Sequence, residues 1–570
     1  GPEQFSNFLD KLPKNSIKKR FSNRLIVIDE VHNLRTTGND KKSITQNLYK
    51  LAENTSNLKL LLLSATPMFN SPREIVWLLN LMNKNDKRTV INEKDVFNKD
   101  DELIVNEDGT EVCKNILIRK STGYVSYFRG ENPYSFPYRI FPSMFMTNHT
   151  MNEYITPRFQ INEKIISEEE QIQKMDLCVL KLNEYQEEAY NAIIQNIDNK
   201  EKIENKENIS GLNYTMLTNP LQALDIVYPN DSFVRYLERN KEEPFKNTKE
   251  LVGKDGLDNV MIYNKKNREN YKYRTDILKT YGRIFSPEHI SQYSSKIKFI
   301  MEQIQNSKGI VLVYAQYIDS GCIPLALALE ELGYTRFGRS NLFKDAPVSK
   351  NKLKYAMITG TPYLSPNNKK EIKAISDENN LNGEKIKVVI ISEAGSEGID
   401  FKNIRQIHVL DPWWNLNRIE QIIGRGVRNC SHKELPFNER NVEIFMYATQ
   451  LENTQVESAD MYMYRMAEKK SVKIGKITRL LKEYSMDCLL NKNVLTEGII
   501  NQTKKLLLSS GKEIIYKIGD KPFSPLCDYM ENCDYLCKPK NSIDSVNTDT
   551  YSENFILTNL EVIITKIKNL

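Results

Sequence analysis

A chain of 570 residues with 80 Lys and Arg against 74 Asp and Glu carries a formal charge of only +6, although 27% of its residues are charged. That length gives room for about two to four domains, and no apolar run approaches the roughly 20 residues a membrane-spanning helix needs. Eight cysteines in so large and charged a chain do not read as a disulfide scaffold, so reduced thiols and a cytoplasmic environment are expected.

Residues 1–145 alternate strand-like and helical patterns and are expected to form part of a parallel α/β domain. The run Leu25-Ile26-Val27-Ile28 predicts a buried parallel strand, ending in Asp29-Glu30-Val31-His32. An Asp at the carboxyl end of such a strand can hold the Mg²⁺ of a Mg-nucleotide. The neighbouring Glu can orient or deprotonate an attacking water. A second run, Leu60-Leu61-Leu62-Leu63, ends in Ser64-Ala65-Thr66-Pro67. Small hydroxyl residues there suit a switch that senses nucleotide and relays its state to a nucleic-acid groove.

Residues 146–292 break this rhythm. They are polar, with patches such as Glu168-Glu169-Glu170, and read as an insertion between two cores; Leu182 to Tyr190 within them predicts an amphipathic helix.

The α/β alternation returns over 293–450, with strands at Gly309 to Tyr314, Val388 to Ile391 and Ile407 to Leu410. Thr359-Gly360 closes another apolar run. Ser392 to Phe401 follows a strand with small residues and glycines that let backbone approach phosphate or ribose closely. After the Asp411-Pro412 turn, Trp413 and Trp414 are read as a wedge between domains, with base stacking as the alternative. A helix is then expected to carry Gln421, Arg425 and Arg428 on one face, because their spacings are four and three. An Arg pair so placed can reach the phosphoryl group being transferred.

Residues 451–570 are expected to be mainly helical. The polar face of Ala459 to Asn491 bears Lys469, Lys470, Lys473, Lys476 and Arg479, and reads equally as a solvated face or as a nucleic-acid or partner surface. Cys527, Cys533 and Cys537 offer three of the four thiolates of a tetrahedral Zn²⁺ site, with Cys488, Cys430 or His432 as the fourth ligand; buried reduced thiols are the alternative.

Taken together, these segments resemble the motifs of superfamily 2 helicases. Asp29 to His32 looks like motif II, Ser64-Ala65-Thr66 like motif III, Gly398 to Asp400 like part of motif V, and Gln421 to Arg428 like motif VI. Asp411 to Asn415 is similar to the Swi/Snf-type branch. Gly123 to Pro133 with Phe141-Pro142, and Gly309 to Tyr314 with Gly333-Tyr334, resemble the helicases of large cytoplasmic DNA viruses. That group includes the small subunit of poxvirus early transcription factor and nucleoside triphosphatase I.

The resemblance implies two RecA-like parallel-sheet domains, the first incomplete, with an inserted segment and a mainly helical C-terminal extension. It implies a nucleic-acid-dependent ATPase using ATP and Mg²⁺. Asp29, Glu30, Gln421, Arg425 and Arg428 would be catalytic, and Asp29, His32, Gly398 and Asp400 would bind the nucleotide. Ser64, Ala65, Thr66, Thr359 and Gly360 would couple it to nucleic acid. The implied track is duplex DNA, with RNA as the alternative, and the implied partners are viral RNA polymerase and a second transcription-factor subunit, without a membrane. The implied role is early-gene transcription in the virion and host cytoplasm. A termination or RNA-release ATPase and a non-hydrolysing transcription-factor subunit are the alternatives. No G-x-x-x-x-G-K-[ST] loop occurs in the sequence. The chain is therefore expected to lack the start of its first domain and to be inactive alone.

Overall fold

The computed structural model describes residues 2–34, 43–106, 109, 111–128, 131–151, 154, 156–204, 214–239, 243–345, 353–366, 368–393, 398–492 and 501–538. Two compact units emerge, one from Gly1–Gly130, Lys470–Thr496 and Asp520–Leu570, the other from Glu131–Lys469 and Glu497–Gly519. These units do not follow the sequence divisions at 145, 292 and 450.

In the first unit β1 (Leu25–Ile28) and β2 (Lys59–Leu62) pair in parallel, with Ile28 opposite Leu62. The helix Ser43–Asn54 lies between them in sequence, as a parallel pair requires a crossover. Ile26, Ile28, Leu60 and Leu62 pack on a core that includes Leu48, Leu51, Trp77 and Leu117. The expectation of fully buried strands is corrected here. Leu25, Val27, Leu61 and Leu63 are 63%, 52%, 45% and 42% exposed, because only one face of the pair is packed.

The same core takes in Ile474, Ile477, Leu480 and Leu481 from the helix Ala459–Glu483. At Gly475 of that helix a Cβ would lie 1.9 Å from the Asp528 carbonyl oxygen, so only glycine admits the turn that crosses there. Arg479 Nε donates to Asp528 Oδ2 at 2.8 Å and Arg479 Nη2 to the Cys527 carbonyl at 2.8 Å. Lys473 pairs with Glu102 at 3.4 Å, and in the other unit Lys469 pairs with Glu170. Three cations of the basic face are thus held by carboxylates of this chain.

The zinc expectation is also corrected. Cys527 is bonded to Cys533, and Cys537 to Cys488, so no thiolate of the trio is left to ligate a metal. Among the described residues no group of three or more His, Cys, Asp or Glu is arranged to hold a metal ion. Cys113, Cys178 and Cys322 are free and buried, as reduced core thiols.

The second unit is built on an eight-stranded sheet. Its strands are β3 (Tyr138–Ile140), β4 (Cys178–Lys181), β7 (Ile310–Tyr314), β8 (Thr335–Arg336), β9 (Lys354–Ile358), β10 (Val388–Ile391), β11 (Ile404–Val409) and β12 (Asn441–Gln450). A separate antiparallel pair is formed by β5 (Met261–Asn264) and β6 (Glu269–Tyr273), and another by β13 (Thr503–Leu507) and β14 (Glu513–Lys517). The second pair adds strand to a C-terminal region expected to be mainly helical. The large sheet runs β3-β12-β11-β7-β10-β9-β8, with β4 also on β12, and every pairing is parallel. Strands β7 and β10 are buried at every residue, as continuous apolar runs covered on both faces are.

The segment read as an insertion is part of this unit. β4 supplies an edge strand, and Cys178, Tyr228, Leu257 and Ile284 share one core with Val311, Val388 and Phe445. The helix Glu184–Glu204 contributes Ala189, Tyr190 and Ile193 to a core with Leu221, Phe233 and Tyr462. The chain crosses β7 on passing from β10 to β11. The carboxyl ends of β7, β10 and β11 therefore border a topological switch point, the usual place for a ligand on an open parallel sheet.

Two buried histidines make this unit sensitive to acid. His408 on β11 is fully buried between Tyr447, whose OH lies 2.6 Å from Nδ1, and Gln406, while burial pushes its pKa down to about 3. His432 Nε2 donates to the Ile404 carbonyl at 2.6 Å, and burial lowers its pKa to about 4. Both rings are neutral in the folded unit and take up protons near the ordinary value of 6.5 once unfolded. Stability is full above about pH 6.5 and falls as pH drops toward 4, by on the order of a few kcal/mol in all. Urea melts between pH 7 and 4.5 should show this slope, and His432→Gln should flatten it; an unchanged slope would remove His432 from the account.

Candidate functional site

In the first unit, β1 ends at Ile28 and the chain turns at once through Asp29 and Glu30 into a short 3₁₀ turn, Val31–Leu34. Glu30 has φ +50, a conformation costly for a residue with a Cβ and common where function constrains backbone. Asp29 Oδ1 accepts the Glu30 amide at 2.9 Å. One exposed carboxylate oxygen remains beyond that bond, which fits a hard cation that keeps water and phosphate as its other ligands.

The two strand-end motifs meet at His32. Its Nδ1 lies 2.9 Å from Ser64 Oγ and 3.2 Å from Glu30 Oε2, and its ring stacks on Phe69 at 5.8 Å. Ser64 Oγ in turn accepts the Thr66 amide at 3.0 Å. His32 is 5% exposed and Glu30 is 57% exposed, so the imidazole is an interior post and the carboxylate projects outward. The parallel register causes this meeting, since it sets the ends of β1 and β2 side by side.

In the second unit the arginine segment departs from the expected single helical face. The helix spans Leu416–Ile423, with the Asn415 side chain accepting the Arg418 amide at its start. It stops at Gly424, and Gly426 follows two residues later. Glycines are poor helix formers, and a Cβ at Gly426 would press on Ile404 and Ile407 at 3.1 Å. The Arg425 carbonyl instead accepts the Phe401 amide at 2.9 Å. Gln421 is therefore helical, whereas Arg425 and Arg428 lie in the turns beyond.

Those turns nonetheless bring both arginines to one carboxylate. Arg428 Nη2 is 2.6 Å from Asp400 Oδ1 and Arg425 Nη1 is 4.0 Å from the same oxygen. Arg428 Nε also donates to the Gly424 carbonyl at 3.0 Å, and Arg425 Nη1 to the Ile399 carbonyl at 3.4 Å. Arg428 and Asp400 are 43% and 58% exposed, so this pair faces solvent, beside the start of β11. Gly398 takes φ +69 ahead of it, where glycine has the freedom that other residues lack. Ala394 to Glu397 of the same loop lie outside the described residues.

Arg418 holds the other end of that loop. Its guanidinium lies 5.4 Å above the Trp413 ring and 3.2 Å from Glu393, while Trp413 Nε1 donates to Tyr314 OH at 2.8 Å. Trp414 packs into the same unit, edge-on to Tyr462 at 6.0 Å. Both tryptophans therefore have partners within their own unit, which the expectation of a wedge between domains did not foresee. Thr359 is also more enclosed than a backbone-contacting residue would be. It is 1% exposed, its amide and hydroxyl both reach Ser365 Oγ at 2.8 Å, and its carbonyl accepts Ser392 Oγ at 2.8 Å. Gly360, at φ +67, is the exposed member of the pair.

A buried ionic cluster beneath this site escaped sequence reading. Lys296 is 1% exposed, and its Nζ lies 3.1 Å from Asp225, 3.3 Å from Asp460 and 3.1 Å from the Leu410 carbonyl. Asp411, one residue on, is fully buried and accepts the Gln316 amide at 2.6 Å. Burial, and next the charge of Asp411, raises the Asp225 carboxyl well above its ordinary range. Burial alone would lower the Lys296 ammonium, but Asp225, Asp460 and Asp411 outweigh it and hold the charge in place. The one signal in the sequence is a lysine on the apolar side of Lys296, Ile297, Ile300, Met301 and Ile304.

Residues 295–430, which hold the lysine anchor, the switch-point loop and both arginines, match the helicase conserved C-terminal domain. The curated relatives that the chain matches include viral proteins. It is 26% identical over 519 residues to a putative helicase of Invertebrate iridescent virus 3, covering 89% of this chain and 44% of that protein. It is 28% identical over 494 residues to a putative ATP-dependent RNA helicase of Acanthamoeba polyphaga mimivirus, covering 86% and 70%. It is 27% identical over 500 residues to nucleoside triphosphatase I of Melanoplus sanguinipes entomopoxvirus, covering 84% and 64%. The similarity to these relatives extends well beyond the helicase domain at both ends.

Proposed function

We propose that this chain is part of a nucleic-acid-dependent ATPase motor of the viral helicase type. The observation that carries the reading is the convergence of Arg425 and Arg428 on one solvent-facing carboxylate, Asp400, within the residues that match the helicase C-terminal domain. Guanidinium groups presented there can exchange a protein carboxylate for phosphate oxygens at little cost.

In this reading Asp29 supplies a carboxylate oxygen to Mg²⁺, which when bound neutralises phosphate charge. Glu30, held outward by its backbone turn, orients the attacking water and accepts its proton. His32 fixes Glu30 and ties it to Ser64, so a change at the nucleotide is passed to the second strand end. Arg425 and Arg428 neutralise charge on the transferring phosphoryl group, and Asp400 is the acceptor for the ribose. The track is duplex DNA, and RNA is the outcome that would redirect the assignment. The role is in viral transcription, with RNA polymerase and a second factor subunit as partners in the virion and host cytoplasm.

The test is ATP hydrolysis with and without duplex DNA or RNA, by the protein and its variants. Glu30→Gln keeps the shape of the side chain and removes the proton acceptor. Hydrolysis should fall by about 10²-fold or more while nucleotide binding persists. Turnover within a few-fold of the parent would take Glu30 out of the mechanism.

A further inference from the structure

The sequence from Lys11 to Ile28 holds no Asp or Glu, yet it carries six cations: Lys11, Lys14, Lys18, Lys19, Arg20 and Arg24. The whole chain has a formal charge of only +6, so this one stretch matches the excess of the entire sequence. All six side chains are exposed. Lys14 to Arg20 ride on the helix Lys14–Phe21, which turns Ile17 and Phe21 to the core of the first unit. The chain then passes through Ser22, Asn23 and Arg24 into β1. The Lys59 amide donates to the Arg24 carbonyl at 2.8 Å, so an exposed cation of β2 joins the same end of the parallel pair. This is the amino end of both strands. β1 is four residues long, which sets that end about 13 Å along the sheet from Asp29 and Glu30.

Two plainer accounts cover only part of this. A charge run is most often a solvated face, whose cations share it with carboxylates. Elsewhere in the unit that is so: Lys84 pairs with Glu53, Arg73 with Asp101, and Lys114 with Glu111 at 3.2 Å. Among the described residues no carboxylate pairs with any of these seven cations, and Arg20 lies 5.7 Å from the Phe8 ring instead. The helix dipole favours cations in the last turn, where Lys18, Lys19 and Arg20 stand. It disfavours Lys14 at the first position and has no bearing on Arg24 or Lys59, which lie outside the helix.

We propose that this ridge binds the phosphate backbone of duplex DNA without reading its sequence. Duplex DNA carries one negative charge per about 1.7 Å of its axis, which an unbroken run of cations complements. The residue types select a phosphate backbone over an acidic protein. Five of the seven cations are Lys, a residue depleted at protein interfaces. Asn15, Ser16, Ser22 and Asn23 among them are small donors of the kind that contact phosphate oxygens. The contact goes beyond the motor reading, since it uses neither ATP nor Ser64 and Thr66 at the opposite strand ends.

Fluorescence anisotropy tests the proposal, with the full chain titrated onto a labelled duplex of about 20 base pairs, without nucleotide, between about 50 and 200 mM salt. A variant with Lys14→Gln, Lys18→Gln, Lys19→Gln and Arg24→Gln should bind at least about tenfold more weakly at the low-salt end. Its slope of log affinity against log salt should shrink by about 3 to 4. Two duplexes of unrelated sequence should lose equally. The replaced side chains are exposed, so the melting temperature should stay within about two degrees of the parent. Should that variant fold poorly, Arg24→Gln with Lys59→Gln, both outside the helix, must still reduce the slope by about 2. Unchanged affinity and slope in a folded variant overturn the proposal, as does a loss confined to one sequence or a parent that does not bind the duplex. A polyglutamate peptide held as tightly as the duplex overturns it too, because the surface would then suit an acidic protein. DNA-stimulated ATP hydrolysis by the parent judges the motor reading separately, so either can fail alone.

Discussion

Arg428→Ala is expected to reduce nucleic-acid-stimulated ATP hydrolysis by about 10³-fold, the scale on which a cation facing the transferring phosphoryl group acts. The same substitution should leave the fold almost untouched. Its pairing with Asp400 joins groups that are 43% and 58% exposed. Solvent-screened pairs of that kind contribute about 1 kcal/mol or less. The two readouts therefore separate a phosphate-facing arginine from a surface salt bridge. A large loss of turnover with a nearly unchanged melt supports the first, and nucleic-acid affinity should change little. Near-normal, DNA-stimulated turnover would leave only the surface pair and remove Arg428 from the chemistry. Arg418→Ala is no neutral control for this experiment. With its side chain 13% exposed, stacked on Trp413 and paired with Glu393, it anchors the loop that Asp400 closes.

Lys296→Met should have the largest effect on stability. The variant keeps the volume of the side chain and removes its charge, leaving Asp225, Asp460 and Asp411 without their common cation in a site with almost no solvent. Breaking a buried ionic group by deleting one partner costs about 3–5 kcal/mol. The loss should fall on the second unit, read as a lower urea midpoint for its transition. Restoring neutrality with Asp225→Asn in the same chain should recover part of it. A single Lys296→Met variant within 1 kcal/mol of the parent would mean that the cluster relaxes or takes in water. The site would register the change as well, because Lys296 binds the Leu410 carbonyl at the end of β11, just ahead of Asp411 and Trp413.

Much of the site chemistry was legible along the chain. Short apolar runs announce strands whatever covers them, so the ends of β1, β2 and β11 could be located, and with them Asp29, Glu30, Ser64 and Asp411. The residue types at the ends of β1 and β2 are the ones from which the proposed metal-nucleotide and activated-water roles were read. Local periodicity also located the helix that begins at Leu416.

Tertiary structure decided the rest, because the deciding contacts join residues with no local spacing between them. Continuing the 3.6-residue period past Ile423 put Arg425 and Arg428 on one helix. The chain instead breaks at Gly424, since the Gly426 backbone must pass against Ile404 and Ile407, and the arginines meet at Asp400 through turns. A lysine on the apolar side of its helix carried no sign that its partners stand 71 residues before and 164 residues after it. Cysteine count suggested free thiols or zinc; the folding of residues 527–537 against Cys488 produced two disulfides. Polar composition marked residues 146–292 as an insertion, yet β4 lies along β12 and their core is the core of the second unit. Composition and periodicity report what each segment can bury, whereas the surface it is buried against is set by chain closure over hundreds of residues.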